Sequence, residues 1–138
     1  MSEANKQFVR RWFEEVWNQQ SEAAIEAMLS SGGKAHGLPE PDSVLEGHDG
    51  FKTLHRGFCG AFPDLRVTVE DTIAEGDRVA IRWSVDMTHT GDGLGFPASG
   101  KKVRMDGMSL VIIKDGKIHE GWNYADMGRL FAQLKVAG

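Results

Sequence analysis

The second half of the sequence is a series of alternating segments joined by short turns. Apolar and polar residues alternate in four of them: residues 65–74, 78–90, 101–114 and a last segment that begins at Lys117. A period of two is typical of strands that place one face on a core. The turn signals Glu75-Gly76-Asp77 and Asp115-Gly116 predict hairpins between neighbours, and hairpins make the sheet antiparallel.

Amphipathic helices are predicted on both sides of this strand region. Apolar residues recur three and four apart in three early segments: residues 3–18, 22–29 and 47–62. Residues 34–37 are a short extended piece, and the prolines make residues 38–42 a loop. A closing helix is predicted over residues 127–134. We therefore expect one α+β domain over residues 1–138, in which a cone-shaped, curved antiparallel sheet carries the N-terminal helices on its concave face as an α+β barrel.

The composition narrows the class of protein. The net charge is −4, and without a basic excess we expect no nucleic-acid partner. No apolar run approaches the ~18 residues of a membrane span, and charges throughout the first twenty residues argue against a signal peptide. A single cysteine, Cys59, rules out an internal disulfide and fits a reducing compartment. The expectation is a cytoplasmic protein without membrane contact.

One aspartate lies where the last strand passes into the closing helix. Asp126 is four residues after Trp122 and two after Tyr124. If the strand continues to Asp126, alternation puts all three side chains on one face. A closed pocket there would favour the protonated carboxyl and make it an effective proton shuttle. Alternatively, Asp126 caps the closing helix by accepting backbone N–H groups, and the two roles can coexist.

The histidines and Cys59 are weaker candidates for chemistry. The five histidines have no metal-binding spacing, so we predict no metal site. His36 precedes Gly37 and the proline loop, where a strand can open into a cavity and a histidine can bind a carbonyl or a water. A surface or structural role is the alternative for His36. Cys59 is predicted to be a small core residue of the third helix rather than a nucleophile.

Three further expectations concern the ligand-binding residues, one loop and the oligomeric state. Aromatic and methionine residues are the candidate substrate-binding groups: Phe13, Phe58, Trp83, Met108, Trp122 and Tyr124. The glycine-rich residues 91–100 lack the G-x-G-x-x-G pattern and form a long hairpin loop. Finally, the segment 101–114 is apolar on both faces, since Met108, Leu110 and Ile112 oppose Val103, Met105 and Val111. A second chain is expected to cover the outer face, which makes the protein a homodimer or higher homo-oligomer.

Several segments of the C-terminal half follow the pattern of a known family: Ala61-Phe62-Pro63-Asp64-Leu65, residues 72–79, Arg82-Trp83, Thr88-His89-Thr90-Gly91 and residues 115–134. In these segments the chain resembles the SnoaL-like polyketide cyclases, also called ester cyclases, of the nuclear transport factor two-like superfamily. The N-terminal helices match this family in pattern only.

The resemblance implies a cone-shaped α+β barrel with one deep apolar pocket and a small apolar or aromatic carbonyl ligand. The family's W-x-x-x-D pattern corresponds to Trp122 through Asp126, which carries the role of general acid/base to Asp126. The implied reaction is an intramolecular aldol ring closure of a polyketide ester, without metal or organic cofactor. The fold also hosts isomerases, hydrolases and binding modules, so two alternatives stand beside it: an isomerase or hydrolase that uses the same carboxylate, and a non-catalytic small-molecule-binding module.

Overall fold

The computed structural model describes residues 2–38, 42–92 and 97–135. This part of the chain contains four α-helices, the first of which continues into a π-helical turn: α1 (Ser2–Trp12, then Phe13–Asn18), α2 (Glu22–Met28), α3 (Gly47–Ala61) and α4 (Met127–Lys135). It contains six strands: β1 (Leu29–His36), β2 (Val44–Glu46), β3 (Arg66–Glu75), β4 (Arg78–Thr88), β5 (Lys102–Lys114) and β6 (Lys117–Ala125). The centres of the two predicted loops, residues 39–41 and 93–96, lie outside the described residues.

All six strands form one curved, unclosed sheet in the order β2-β1-β6-β5-β4-β3. The four long strands pair antiparallel through hairpins, as predicted. The sheet is nevertheless mixed, because β1 pairs with β6 in parallel and with β2 antiparallel. β1 is also longer than the predicted extended piece at residues 34–37, since it begins at Leu29 where helix α2 ends. A parallel pair needs a long crossover, and here more than half of the chain separates β1 from β6.

The core lies between the concave face of the sheet and helices α1, α2 and α3. Alternate residues of β4 and β5 are buried there: Val79, Ile81, Trp83, Val85 and Met87, and Val103, Met105, Val111 and Ile113. A bulge in β3 between Val69 and Asp71 shifts the alternation by one. Ile73, which the simple period of two places with Val67 and Val69, is therefore 71% exposed on the outer face.

Hydrogen bonds satisfy backbone groups at the end of the first helix and in β3, the edge strand of the sheet. The wide turn of the π-helix is closed by the Gln19 N–H, which donates to the carbonyl of Glu14 at 2.8 Å. His55 Nε2 donates to the carbonyl of Val16 at 2.6 Å, one of the groups that a helix end leaves unpaired. Asn18 pairs with the backbone of Val67, donating to its carbonyl at 3.0 Å and accepting from its N–H at 2.6 Å. The bonds of His55 and Asn18 fix the end of the first helix against α3 and β3.

The bridge from Asn18 to β3 yields a stability prediction. Asn18→Ala leaves the Val67 N–H and carbonyl partly buried without this partner, which costs about 1–3 kcal/mol. Urea unfolding should show the loss as a lower midpoint with an unchanged slope. Gln7→Ala is the matched control, because Gln7 is exposed on α1 and its truncation should change the free energy of unfolding by less than about 0.5 kcal/mol. Equal effects of the two substitutions would contradict the bridge.

Candidate functional site

A deep cavity lies between the concave face of the sheet and the helices. Its empty space is about 900 Å³, part of which is open to solvent. Aromatic rings make up much of the wall: Trp12, Phe13, Trp17, Phe51, Phe58 and Trp83. The π-helical turn presents two of these rings, Phe13 and Trp17, to the cavity.

Polar groups are few in this wall. Among the described residues that line the cavity, the polar side chains are Lys34, Ser109 and Asn123, together with the indole N–H groups of Trp12, Trp17 and Trp83. None of these lining residues carries a carboxylate or an imidazole. The interior is therefore suited to an apolar ligand, with polar contacts confined to a few points.

Three of these groups form one directional chain of hydrogen bonds across neighbouring strands. Trp83 Nε1 donates to Ser109 Oγ at 3.0 Å. Ser109 Oγ in turn donates to Asn123 Oδ1 at 2.7 Å, and Asn123 Nδ2 donates to the carbonyl of His36 at 3.1 Å. The indole can only donate and the backbone carbonyl can only accept, so the direction of each bond and the orientation of the amide are fixed by the two ends.

Two glycines make room for this chain of hydrogen bonds. Gly107 is the cross-strand partner of Trp83, and a Cβ at Gly107 would overlap the indole ring. The bare backbone lets the indole lie across β5 and reach Ser109. Gly37 directly follows β1 and has a φ of +85°, and a Cβ there would collide with the carbonyl oxygen of Asn123. β1 can therefore approach β6 closely enough for the His36 carbonyl to accept from the Asn123 amide.

Of the predicted substrate-binding residues, Phe13, Phe58 and Trp83 line the cavity. The other three do not, and their placement by strand parity was wrong. Met108 and Tyr124 are directly opposite each other on the outer face, 52% and 73% exposed. Trp122 lies on that face as well, because its neighbours Gly121 and Asn123 line the cavity. The register of β6 turns the small side chains inward and the large rings outward, the reverse of the expectation.

The His36 imidazole also points away from the cavity. His36 Nε2 lies 2.6 Å from Glu120 Oε2, and its ring stacks on that of Trp122 with centroids 5.2 Å apart. Both partners belong to the outer side of the sheet. The contribution of His36 to the cavity is its backbone carbonyl, which holds the amide of Asn123.

Asp126 lies at the junction of β6 and α4 and caps that helix. Its Oδ1 accepts the backbone N–H of Arg129 at 2.9 Å, which confirms the capping interpretation. The side chain is exposed, whereas the residues before and after it, Ala125 and Met127, line the cavity. The role of Asp126 as acid/base stays a prediction.

Two cavity groups, Ser109 and Asn123, were missed by the sequence reasoning. Both are polar residues at alternate positions of strands, where the pattern is ambiguous between a solvated face and a cavity. The signal that was available is the glycine at position 107, opposite a tryptophan and two residues before Ser109. A glycine within a strand indicates a bulge or a close approach of another group.

Cys59 has the character of a core thiol. Burial raises the pKa of its thiol to about 11, so the sulfur stays protonated at neutral pH. Its Sγ lies 3.6 Å from His55 Nε2, but that nitrogen donates to the Val16 carbonyl. The neighbouring imidazole therefore does not act as a base for Cys59. A weakly nucleophilic thiol fits the predicted structural role.

The described residues 2–38, 42–92 and 97–135 have no group of three or more histidine, cysteine or acidic side chains placed to hold a metal ion. None of the helices in this part of the chain combines the length and the apolar character needed to cross a bilayer.

Residues 7–134 match the family model of the SnoaL-like polyketide cyclases. The chain belongs to this family. The match covers nearly the whole sequence, including the N-terminal helices, whose resemblance the sequence showed in pattern only. No curated protein matched the chain.

Solved structures place this SnoaL-like chain in the same fold. A candidate SnoaL-like polyketide cyclase from Jannaschia sp. CCS1 is 24% identical with a TM-score of 0.86, over 96% of this chain and 92% of that one. AclR, a candidate hydroxylase from Streptomyces galilaeus, is 28% identical with a TM-score of 0.83, over 97% and 82%. A protein of ketosteroid isomerase-like fold from Catenulispora acidiphila is 14% identical with a TM-score of 0.75, over 91% and 90%. The family match supports a cyclase-like function in general terms, and the solved structures support the fold.

The contact between Trp83 and Gly107 can be tested by adding one methyl group. Gly107→Ala places a Cβ inside the indole ring, so the ring must leave its position and the bond to Ser109 breaks. We expect a loss of about 1–3 kcal/mol and a shifted tryptophan emission spectrum. Gly32→Ala in β1 is the control, because nothing lies within 4 Å of a Cβ there. An unchanged spectrum and stability in Gly107→Ala would show that the indole does not cover this glycine.

Proposed function

We propose that this SnoaL-like protein is a cyclase-type enzyme that performs acid/base chemistry on a small apolar or aromatic carbonyl compound held in the cavity. The observation that carries the proposal is the deep aromatic wall with few polar groups, next to an exposed carboxylate, Asp126, that lies between two lining residues of the chain. Such a wall binds fused or conjugated rings by burial. The reaction we propose is an intramolecular aldol ring closure of a polyketide ester.

Asp126 supplies the proton transfers in this proposal. Its carboxylate removes a proton from a carbon between two carbonyl groups, and the electron pair of that C–H bond becomes an enolate. The enolate carbon attacks a second carbonyl carbon of the same molecule, forming the ring bond and leaving an alkoxide. The carboxyl group of Asp126 returns the proton to that alkoxide. The substrate's own carbonyls delocalise the charge, so the proposed steps balance without a metal or an organic cofactor.

The cap and the acid/base role are compatible at Asp126. The cap uses Oδ1, and Oδ2 makes no hydrogen bond to other described residues. The cap also holds the carboxyl group beside two cavity-lining neighbours, which restricts where its free oxygen lies. A base fixed at the mouth of a binding cavity is a recurrent arrangement for proton abstraction.

A second candidate is a non-catalytic small-molecule-binding module. It is favoured by the exposure of Asp126 and by the lack of a carboxylate among the described cavity-lining residues. An isomerase or hydrolase with the same carboxylate is distinguished from a cyclase by its substrate, a steroid enone or an epoxide.

Asp126→Asn separates these functions, because asparagine caps a helix as well as aspartate does. The expected melting temperature of the variant is unchanged. Its rate of ring closure should be at least about 100-fold lower, measured by a mass-spectrometric assay with methyl esters of aromatic polyketides. Asp106→Asn is the control, since Asp106 is another exposed carboxylate near the start of α4 and should leave the rate unchanged. Full activity of Asp126→Asn would remove Asp126 from the mechanism. The wild-type protein would be a binding module if it bound these esters but converted neither them nor any steroid enone or epoxide.

We further propose that the outer face of the sheet packs on a second copy of the chain. One row of directly paired residues crosses all six strands on this face: Val44, His36, Trp122, Leu110, Ala80 and Ile73. The neighbouring row adds Met108 and Tyr124, and all four exposed large hydrophobic residues of the described chain are in these two rows. An apolar centre with exposed ion pairs beside it, such as Arg82 with Asp71, has the composition of a homodimer interface.

Charges placed in the centre of this surface should separate the copies. In the double variant Met108→Glu, Tyr124→Glu, two like charges per chain would have to be buried, so the protein should sediment as a 15.2 kDa monomer. The wild type should sediment at twice that mass at micromolar concentration. Gln7→Glu, on helix α1, is the control and should keep the wild-type mass. A monomeric wild type would contradict the assembly.

A further inference from the structure

The amide of Asn123 is fixed by both of its ends and has one N–H to spare. Its Oδ1 accepts from Ser109, and one Nδ2 hydrogen goes to the carbonyl of His36. We propose that the second Nδ2 hydrogen binds a carbonyl oxygen of the ligand, so that Asn123 sets the specificity of the cavity for a neutral oxygen acceptor. This inference rests on the proposed function in one respect, namely that the ligand binds in the cavity.

The other polar hydrogens of this cluster are already committed. The indole N–H of Trp83 is donated to Ser109, and the Ser109 hydroxyl hydrogen is donated to Asn123. Both residues are nearly buried, with 8% and 5% of their surface exposed. Of the three side chains, Asn123 alone therefore keeps a donor for a ligand. An amide N–H next to an apolar wall can donate a hydrogen bond to a ketone or ester oxygen, whereas a hydrocarbon has no group that accepts this bond.

The fixed orientation makes the amide selective. A freely rotating asparagine could turn its oxygen toward the ligand and accept from a hydroxyl group instead. Here a reversal would place Oδ1 against the carbonyl of His36 and Nδ2 against the hydroxyl hydrogen of Ser109, and both contacts would be repulsive. Trp83 and Ser109 are thus positioning residues, which act on the ligand through Asn123.

The same placement gives the ligand a direction in the cavity. Asn123 and Asp126 are three residues apart at the end of β6, roughly 10 Å of extended chain. A ligand held by one carbonyl at Asn123 extends along the aromatic wall, and a carbon farther along its skeleton reaches Asp126. Asn123 is then the anchor of the substrate, and proton transfer takes place at the other end.

A matched pair of probes tests the anchor. 2-Acetylnaphthalene and 2-isopropenylnaphthalene have nearly the same shape, but the second has a CH₂ group where the first has its oxygen. We expect the wild type to bind the ketone about 5-fold more tightly, the value of one net hydrogen bond, by titration of tryptophan fluorescence. In Asn123→Leu the two affinities should become equal. Ser109→Ala, which frees the amide to rotate, should reduce the preference to about 2-fold.

A vibrational readout distinguishes the bond from a change of shape. The carbonyl stretch of ¹³C-labelled 2-acetylnaphthalene should be lower when bound to the wild type than when bound to Asn123→Leu, because a donated hydrogen bond weakens the C=O bond. Phe58→Leu is the control: it removes part of the aromatic wall, so it should weaken both probes equally and leave the stretch unchanged.

The outcomes separate this inference from the proposed function. Equal binding of the two probes by the wild type, with an unshifted carbonyl stretch, would overturn the anchor and leave the cavity as the binding site. Failure of both probes to bind would overturn the cavity and the anchor together. The comparison within the wild type decides the question even if Asn123→Leu does not fold.

Discussion

The register of β5 between its two neighbours is the constraint on which the rest of the structure depends. β5 pairs with β4 without interruption from Lys102 to Ile112, and this register sends Gly107 and Ser109 to the concave face and Met108 to the outer one. A slip by one residue would exchange the two faces. The indole of Trp83 opposes such a slip, because only a glycine leaves room for it across β5.

The parts of the fold that were predictable from the sequence are those whose signals are local. The hairpins between β3, β4, β5 and β6 follow from a period of two and from turn residues that lie next to the strands. The pairing of β1 with β6 joins residues more than eighty positions apart, for example His36 and Trp122, and no local pattern encodes such a partner. The bulge in β3 and the π-helical turn are likewise set by packing, so alternation alone misplaced Ile73.

The candidate site was predicted in part, and the failure on β6 has a physical reason. The rule that large apolar residues face inward holds for a filled core, and it correctly placed Phe13, Phe58 and Trp83. A cavity instead requires that some elements leave space. β6 does so with Gly121 and Ala125, which line the empty volume, while Trp122 and Tyr124 take the outer face. In a strand next to a pocket, the small residues therefore mark the interior.

The division between Asn123 and Asp126 follows from the cost of burying charge. An ionised carboxylate inside an aromatic-walled cavity would lose much of its hydration, which is costly, whereas a neutral amide can be buried once its hydrogen bonds are satisfied. The described part of the chain has the amide inside and the Asp126 carboxylate exposed beyond the end of β6, where water and the Arg129 N–H solvate it. A largely apolar substrate that reaches from Asn123 to Asp126 would place one of its carbonyl groups at each of these two residues. The interior then needs to supply only binding and orientation, and the charged step of the proposed reaction stays at the solvated mouth.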